Sequence, residues 1–337
     1  MQSLRARAAI ISNIRHFFET RDVLEVDTPS LSQYSVTDPY LQPIHTQNKP
    51  KRYLQTSPEY AMKRLLAAGS GDIYQICKAF REDEVGRQHN PEFTLLEWYR
   101  VGFSMQMLID EVKALLAMVL PVQTCDQRTY CSLFVEYCNL EPVLSSIEEV
   151  EYCCIQNELD DYAKSIKDSL LHDGFPKNAN NKTIHELSDD KRQVLLQDIY
   201  RDSLLNVLFS QVIEPHIGKS IPIVVTHFPK SQAALATIDD NSDYANRFEV
   251  YFKSIELANG FNELTCATTQ AQRFKQDNLK RNILKLPEVE IDTNFLTALN
   301  NGLPACSGVA LGIDRLVMLA LDKESISEVI SFNYDNC

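Results

Sequence analysis

Apolar residues recur at helical spacing near the start of the chain. Ile10, Ile14, Phe17 and Phe18, with arginines between them, predict an amphipathic helix over residues 3–20. Val23-Leu24-Glu25-Val26 alternates and stops at Thr28-Pro29, as a short strand would. A strand at 53–56 runs into Ser57-Pro58-Glu59. Serine at the N-cap, proline at the first helical position and an acid behind it predict a helix start. That helix runs to about Ala68 and ends at Gly69. Residues 73–80 and 93–99 read as the strands of a long antiparallel hairpin around a charged, glycine-containing connection. Ser104 caps a helix to about Leu120, and Pro121 follows it.

Between 122 and 188 the pattern weakens into a stretch rich in Asn, Asp and Ser, read as an insertion carrying some helix within a single domain of 337 residues. A longer helix at 189–213 places Val194, Leu195, Ile199, Leu204, Leu205 and Leu208 on its buried side. Residues 221–227 and 248–257 read as strands, and 268–285 as a very polar helix expected to lie exposed. Residues 306–316 read as a glycine-punctuated strand entering a helix, where glycine permits close backbone approach by a ligand. Strands and helices intersperse without regular βαβ alternation. The predicted class is α+β, an antiparallel sheet flanked by helices.

Composition narrows the function classes. A formal charge of −13 argues against a large nucleic-acid footprint, which is normally basic, and suits solubility or a basic protein partner. The nine cysteines include no CxxC, so neither a zinc site nor a disulfide scaffold is expected. Arg5, Arg7 and Arg15 interrupt the first helix, unlike a signal peptide, and the longest apolar run, 114–120, is too short to span a bilayer. A cytoplasmic protein with reduced thiols and no membrane contact is expected.

The candidate chemistry centres on residues 80–99. Arg81, Arg87 and His89 stand among Glu82, Asp83, Glu84 and Glu92, with Phe93, Trp98 and Tyr99 following. Cations suit phosphate oxygens, carboxylates suit an amine or a metal, and an aromatic face suits a purine. A salt-bridged surface hairpin would carry the same charges. Glu59, Glu249, Glu256 and Glu263 sit in or beside strands, and their hard oxygens would suit magnesium on a nucleotide. Glu249 and Glu256 are an odd number of residues apart, so one uninterrupted strand would put them on opposite faces; a shared site requires a bulge or bend. The residues alone reach a nucleotide site built from antiparallel strands.

The stretch FREDE…RQHNPEFTLLEWY resembles motif 2 of the class II aminoacyl-tRNA synthetases, GVALGIDRLVM resembles motif 3, and Val23…Thr28-Pro29 is similar to the weaker motif 1. HNPEFT and ELANGFNEL narrow the resemblance to the lysyl-tRNA synthetase branch. With residue 1 at the expected catalytic helix, no anticodon-reading barrel like that of the branch is expected. SPEYAMKRLLAAG, ELANGF and SGVALG resemble a truncated paralogous group that attaches (R)-β-lysine to a lysine of translation elongation factor P. The resemblance implies a homodimer using ATP and Mg2+, with elongation factor P and not tRNA as acceptor.

It also implies residue roles. Arg81 would neutralise the α-phosphate and Arg315 would meet ATP from the opposite side. Phe93 would stack on adenine with His89 and Asn90 nearby, and Glu82, Asp83, Leu257 and Gly312 would complete the nucleotide site. Glu249 and Glu256 would hold magnesium. Ser57, Pro58, Glu59, Tyr99, Glu263 and Ala310 would bind the lysine-like substrate, the carboxylates reading its amino groups. Ala310 stands where lysyl-tRNA synthetases carry glycine; it would also serve as an ordinary packing residue. Two departures are visible. Arg81-Glu82-Asp83 replaces the usual Arg-Asn-Glu, and Cys266 replaces an aspartate. A lysine-activating enzyme and a non-catalytic regulator are the competing readings; retention of Arg81, Arg315, Glu59 and Glu263 argues against the second.

Overall fold

A computed structural model describes residues 1–82, 85–171 and 188–337. Asp83, one of the nucleotide-site expectations, lies outside the described residues, as do Glu84 and the end of the 122–188 stretch.

The helices are α1 (Gln2–Glu19), α2 (Glu59–Ala67), α3 (Met105–Val119), α4 (Tyr130–Cys138), α5 (Ile147–Gln156), α6 (Asp160–Leu171), α7 (Asp189–Leu208), α8 (Ala267–Ile283), α9 (Thr293–Gly302) and α10 (Ile313–Ala320). The strands are β1 (Leu24–Glu25), β2 (Leu31–Ser32), β3 (Tyr53–Leu54), β4 (Ile73–Phe80), β5 (Glu92–Val101), β6 (Asp126–Thr129), β7 (Ile223–Pro229), β8 (Tyr244–Phe252), β9 (Ile255–Asn262) and β10 (Cys306–Gly312). The main sheet runs β1-β4-β5-β10-β9-β8-β7-β6, and β2 pairs with β3 apart from it. Only its two outermost pairings, β1 with β4 and β6 with β7, are parallel. The fold is the expected α+β architecture.

Alternation along β5 separates the two faces of this sheet. Leu96 and Trp98 point into a core with Phe18, Tyr74, Leu108, Val112, Leu311 and Val317, formed by α1, α3 and α10. Phe18 stacks on Tyr74 at 4.5 Å and meets the Trp98 ring edge-on at 5.3 Å. Such pairs add about 0.5–1.5 kcal/mol each beyond burial. Glu97 and Tyr99, one residue out of step, face the opposite side. There the sheet is flanked by two further cores. One gathers Met62, Tyr99, Phe274 and Phe295 around α2, α8 and α9; the other gathers Tyr130, Phe134, Leu204 and Phe209 around α4 to α7. A cleft remains between them.

Several expected elements differ in detail. Residues 248–257 are not one strand but the facing ends of β8 and β9. They are joined by Lys253-Ser254, both with positive φ (50° and 60°), as a two-residue hairpin turn requires. α8 is not exposed: Gln270, Phe274, Asn278, Arg281 and Asn282 are buried. Its polarity reflects paired polar burial, since Arg281 donates to the carbonyls of Asp38 and Pro287, and Asn278 to that of Val289. Val194 is exposed, because α7 turns it away from the face carrying Ile199 and Leu204. Within 122–188, Asp126–Thr129 joins the sheet as its outermost strand, beside β7. All nine cysteines are free thiols. Among the described residues no helix is long and apolar enough to cross a membrane.

Candidate active site

A cavity of about 630 Å³ occupies the cleft, floored by β5, β8, β9 and β10 and walled by α2, α7 and α8. It brings together Ser57, Glu59, Arg81, His89, Asn90, Phe93, Tyr99, Glu249, Glu256, Leu257, Glu263, Ala310, Gly312 and Arg315. Two expected residues stand outside it. Pro58 is the buried N-cap of α2, and Glu82 is exposed, its amide tied to the carbonyl of Gln42. The helix therefore starts one residue later than expected. Ser57 accepts from the Glu59 amide at 3.0 Å and donates its own proton to Glu97.

One end of the cavity is dominated by carboxylates. Glu97 and Glu263 are each 2% exposed, and between Glu263 and Glu59 lies Lys63, 1% exposed. Its ammonium is 2.6 Å from Glu59 and 2.5 Å from Glu263. Glu97 accepts from Ser57 at 2.7 Å and from the Tyr99 hydroxyl at 2.6 Å. Three carboxylates thus meet one ammonium, an imbalance that burial makes costly. Burial, followed by repulsion from Glu59, pushes Glu97 up to about 7. Burial, opposed by Lys63 and reinforced by Glu59 and Glu97, pushes Glu263 up to about 8. Burial works against the charge on Lys63, but Glu263 and Glu59 outweigh it and hold the ammonium above its usual range. The cluster has the charge to receive a further cation.

Lys63 and Glu97 were missed by sequence reading, although both left a signal. Lys63 is one helical turn after Glu59, and Glu97 shares strand parity with Phe93 and Tyr99. Glycine fits the floor here for a steric reason. A Cβ on Gly308 would stand 2.3 Å from the Tyr99 ring and 2.5 Å from Glu263 Oε1. Ala310 is paired directly with Glu97 on one side and Asn259 on the other, so its methyl shares their face.

The opposite end is cationic and aromatic. The Arg81 guanidinium lies 5.0 Å from the Phe93 ring centroid. Arg315, two residues into α10, donates to the carbonyls of Glu256 at 2.8 Å and Gln88 at 3.3 Å and pairs with the His89 ring. These bonds tie α10 to both the β9 strand and the β4–β5 loop. Asn90 plays a framework part: its amide donates to the Glu92 carbonyl and accepts from the Tyr334 amide.

Glu249 and Glu256 do share a face. The hairpin sets Glu249 opposite Asn259 and Tyr251 opposite Glu256, and a bulge in β9 supplies the change of register that strand parity demanded. Arg247, Tyr251 and Asn259 all donate to Glu249. Burial, followed by repulsion from Glu249, pushes Glu256 up to about 7. Asn259 Oδ1 is buried without a hydrogen-bond partner among the described residues. Among the described residues no three His, Cys, Asp or Glu side chains are assembled as a metal site. The carboxylates of Glu249 and Glu256 and the amide oxygen of Asn259 are hard donors of the kind that would suit a magnesium ion accompanying a polyphosphate.

The cleft on this sheet therefore has a cationic, aromatic grip at one end and buried acids at the other. Class II tRNA synthetases (D, K and N) match residues 1–336, and the chain belongs to that family. Within it, the chain is similar to proteins named elongation factor P–(R)-β-lysine ligase. The Histophilus somni (strain 2336) protein is 47% identical over 343 residues, covering 99% of this chain and 96% of the relative. Those of Edwardsiella ictaluri and Salmonella typhi are each 45% identical over 341 residues, covering 99% of this chain and 95% of the relative.

Proposed function

We propose that the chain activates (R)-β-lysine with ATP and transfers it to a lysine side chain of elongation factor P. The observation that carries this reading is the acid cluster, where Glu59, Glu97 and Glu263 face the single ammonium of Lys63. A substrate bearing two amino groups would supply the missing positive charge, and an uncharged amino acid would leave buried carboxylates unbalanced. The names carried by the relatives support the same substrate and acceptor.

In the first step a carboxylate oxygen of the substrate attacks the α-phosphorus of ATP. The bond to pyrophosphate breaks and an aminoacyl adenylate forms. Arg81 and Arg315 would meet the charge that builds on the phosphoryl oxygens; Arg81 packs near Phe93, and Arg315 is held by the carbonyls of Glu256 and Gln88. Glu249 and Glu256 would hold Mg2+, which neutralises the polyphosphate when bound. In the second step the neutral amine of the acceptor lysine attacks the acyl carbon, the bond to AMP breaks, and the amine loses its proton. Ala310 places a methyl beside Glu97 where glycine would leave room, a change worth about 1–3 kcal/mol of selectivity between amino-acid isomers.

The test is intact-mass analysis of purified elongation factor P incubated with the protein, ATP and (R)-β-lysine. One β-lysyl group on a single lysine is expected. Adenylate formation with no adduct on elongation factor P overturns the assignment of the acceptor.

A further inference from the structure

α8 presents Gln270, Phe274, Asp277 and Lys280 to the cavity, a stripe at helical spacing. Its first member, Gln270, stands apart. Gln270 is 1% exposed, yet both Oε1 and Nε2 of its side chain lack any hydrogen-bond partner among the described residues. A buried amide with neither end bonded is disfavoured unless something that enters the site completes it. The polar residues further along the same helix are paired: Asn278 donates to Val289 and accepts from its amide, and Arg281 spans two carbonyls. Gln75 in β4 shows the same lack away from the cavity, but along α8 it is confined to the residue at the cavity wall.

The position of Gln270 identifies which part of a ligand it meets. Gln270 lies in the first turns of α8, which follows closely on Glu263 at the end of β9. One turn further, the Phe274 ring packs 5.7 Å from Tyr60, the neighbour of Glu59. Arg273 donates to the carbonyls of Ala234 and Ala236, and Ala236 bridges to Glu263. Gln270 thus belongs to the acid end of the cavity and not to the end holding Arg81 and Arg315.

We propose that Gln270 is a specificity-determining residue whose Oε1 accepts a hydrogen bond from a substrate amino group. This rests on the reading of the cavity as an amino-acid site. An ammonium carries three donors, more than one carboxylate oxygen satisfies, and a neutral acceptor completes the set without adding to the local negative charge. The residue would contribute to the choice of amine-bearing substrate and leave ATP recognition untouched.

The experiment measures (R)-β-lysine binding by calorimetry, and amino-acid and ATP KM values in pyrophosphate exchange, for the wild type, Gln270→Leu and Gln270→Glu. Gln270→Leu is expected to weaken amino-acid binding roughly 10–100-fold, leave the KM for ATP unchanged and leave Tm equal or higher, since an unbonded buried amide is gone. Gln270→Glu, which keeps an acceptor oxygen in place, is expected to recover most of the affinity. Amino-acid affinity unchanged in Gln270→Leu overturns the proposal, whichever way Tm moves. A fall in Tm accompanied by equal losses for both substrates also overturns it, since that marks a purely structural amide. If the wild type itself binds no amino acid, the underlying functional reading fails instead.

Discussion

The carboxyl of Glu97 belongs to the acid cluster, with both oxygens already accepting from Ser57 and Tyr99 and its ionisation pushed up to about 7. Its burial disfavours the charge that a cationic substrate would use. Glu97→Gln should accordingly weaken (R)-β-lysine binding about 10–100-fold while leaving Tm equal or raised, measured by calorimetry and thermal melting. Unchanged affinity would remove Glu97 from the substrate site. At this scale the sequence was informative about residue types but incomplete. Arg81, Arg315, Glu59 and Glu263 stood out because motifs surround them. Glu97 and Lys63 did not, because a lone acid in an apolar strand and a lysine in a helix are ordinary until the fold buries them. Gln270 carried no signal at all, since its meaning depends on both ends of its amide being unbonded.

Among the elements, β10 brings the tightest constraint. Gly308 lets the strand pass against Tyr99 and Glu263 where a Cβ would collide with both. Gly308→Ala should destabilise the protein by about 1–3 kcal/mol and damage amino-acid use more than ATP use. Equal KM values for both substrates relative to the wild type would show that the strand tolerates the methyl by shifting. Helix starts and hairpins were legible because caps, glycines and alternation are local signals. The β8–β9 hairpin was missed because Lys253-Ser254 adopts a left-handed turn without the usual glycine or asparagine. The polar helix α8 was assigned to the surface because its burial depends on carbonyls distant in sequence, such as that of Asp38.

On the scale of the whole molecule, the raised carboxyls make stability depend on pH. Glu97 at about 7, Glu263 at about 8 and Glu256 at about 7 all bind protons more tightly in the folded chain than the usual carboxylate value of 4.5. Their stabilising contribution is complete below that unfolded value and is lost as pH rises through the folded values. The unliganded protein should lose Tm between about pH 5 and pH 8, and (R)-β-lysine should flatten the decline by favouring the ionised acids. Melting curves across that window with and without the amino acid test this; a Tm that rises with pH in the unliganded protein contradicts it. The same linkage predicts that substrate binding near pH 7 releases protons.

ATP–pyrophosphate exchange compares the substrates most directly, with (R)-β-lysine, L-lysine and an uncharged amino acid of similar length measured side by side. The proposed function predicts strong exchange with (R)-β-lysine and weaker exchange with L-lysine, and the acid cluster predicts none with the uncharged analogue. Equal or better use of L-lysine, or exchange supported by the uncharged amino acid, would contradict the account.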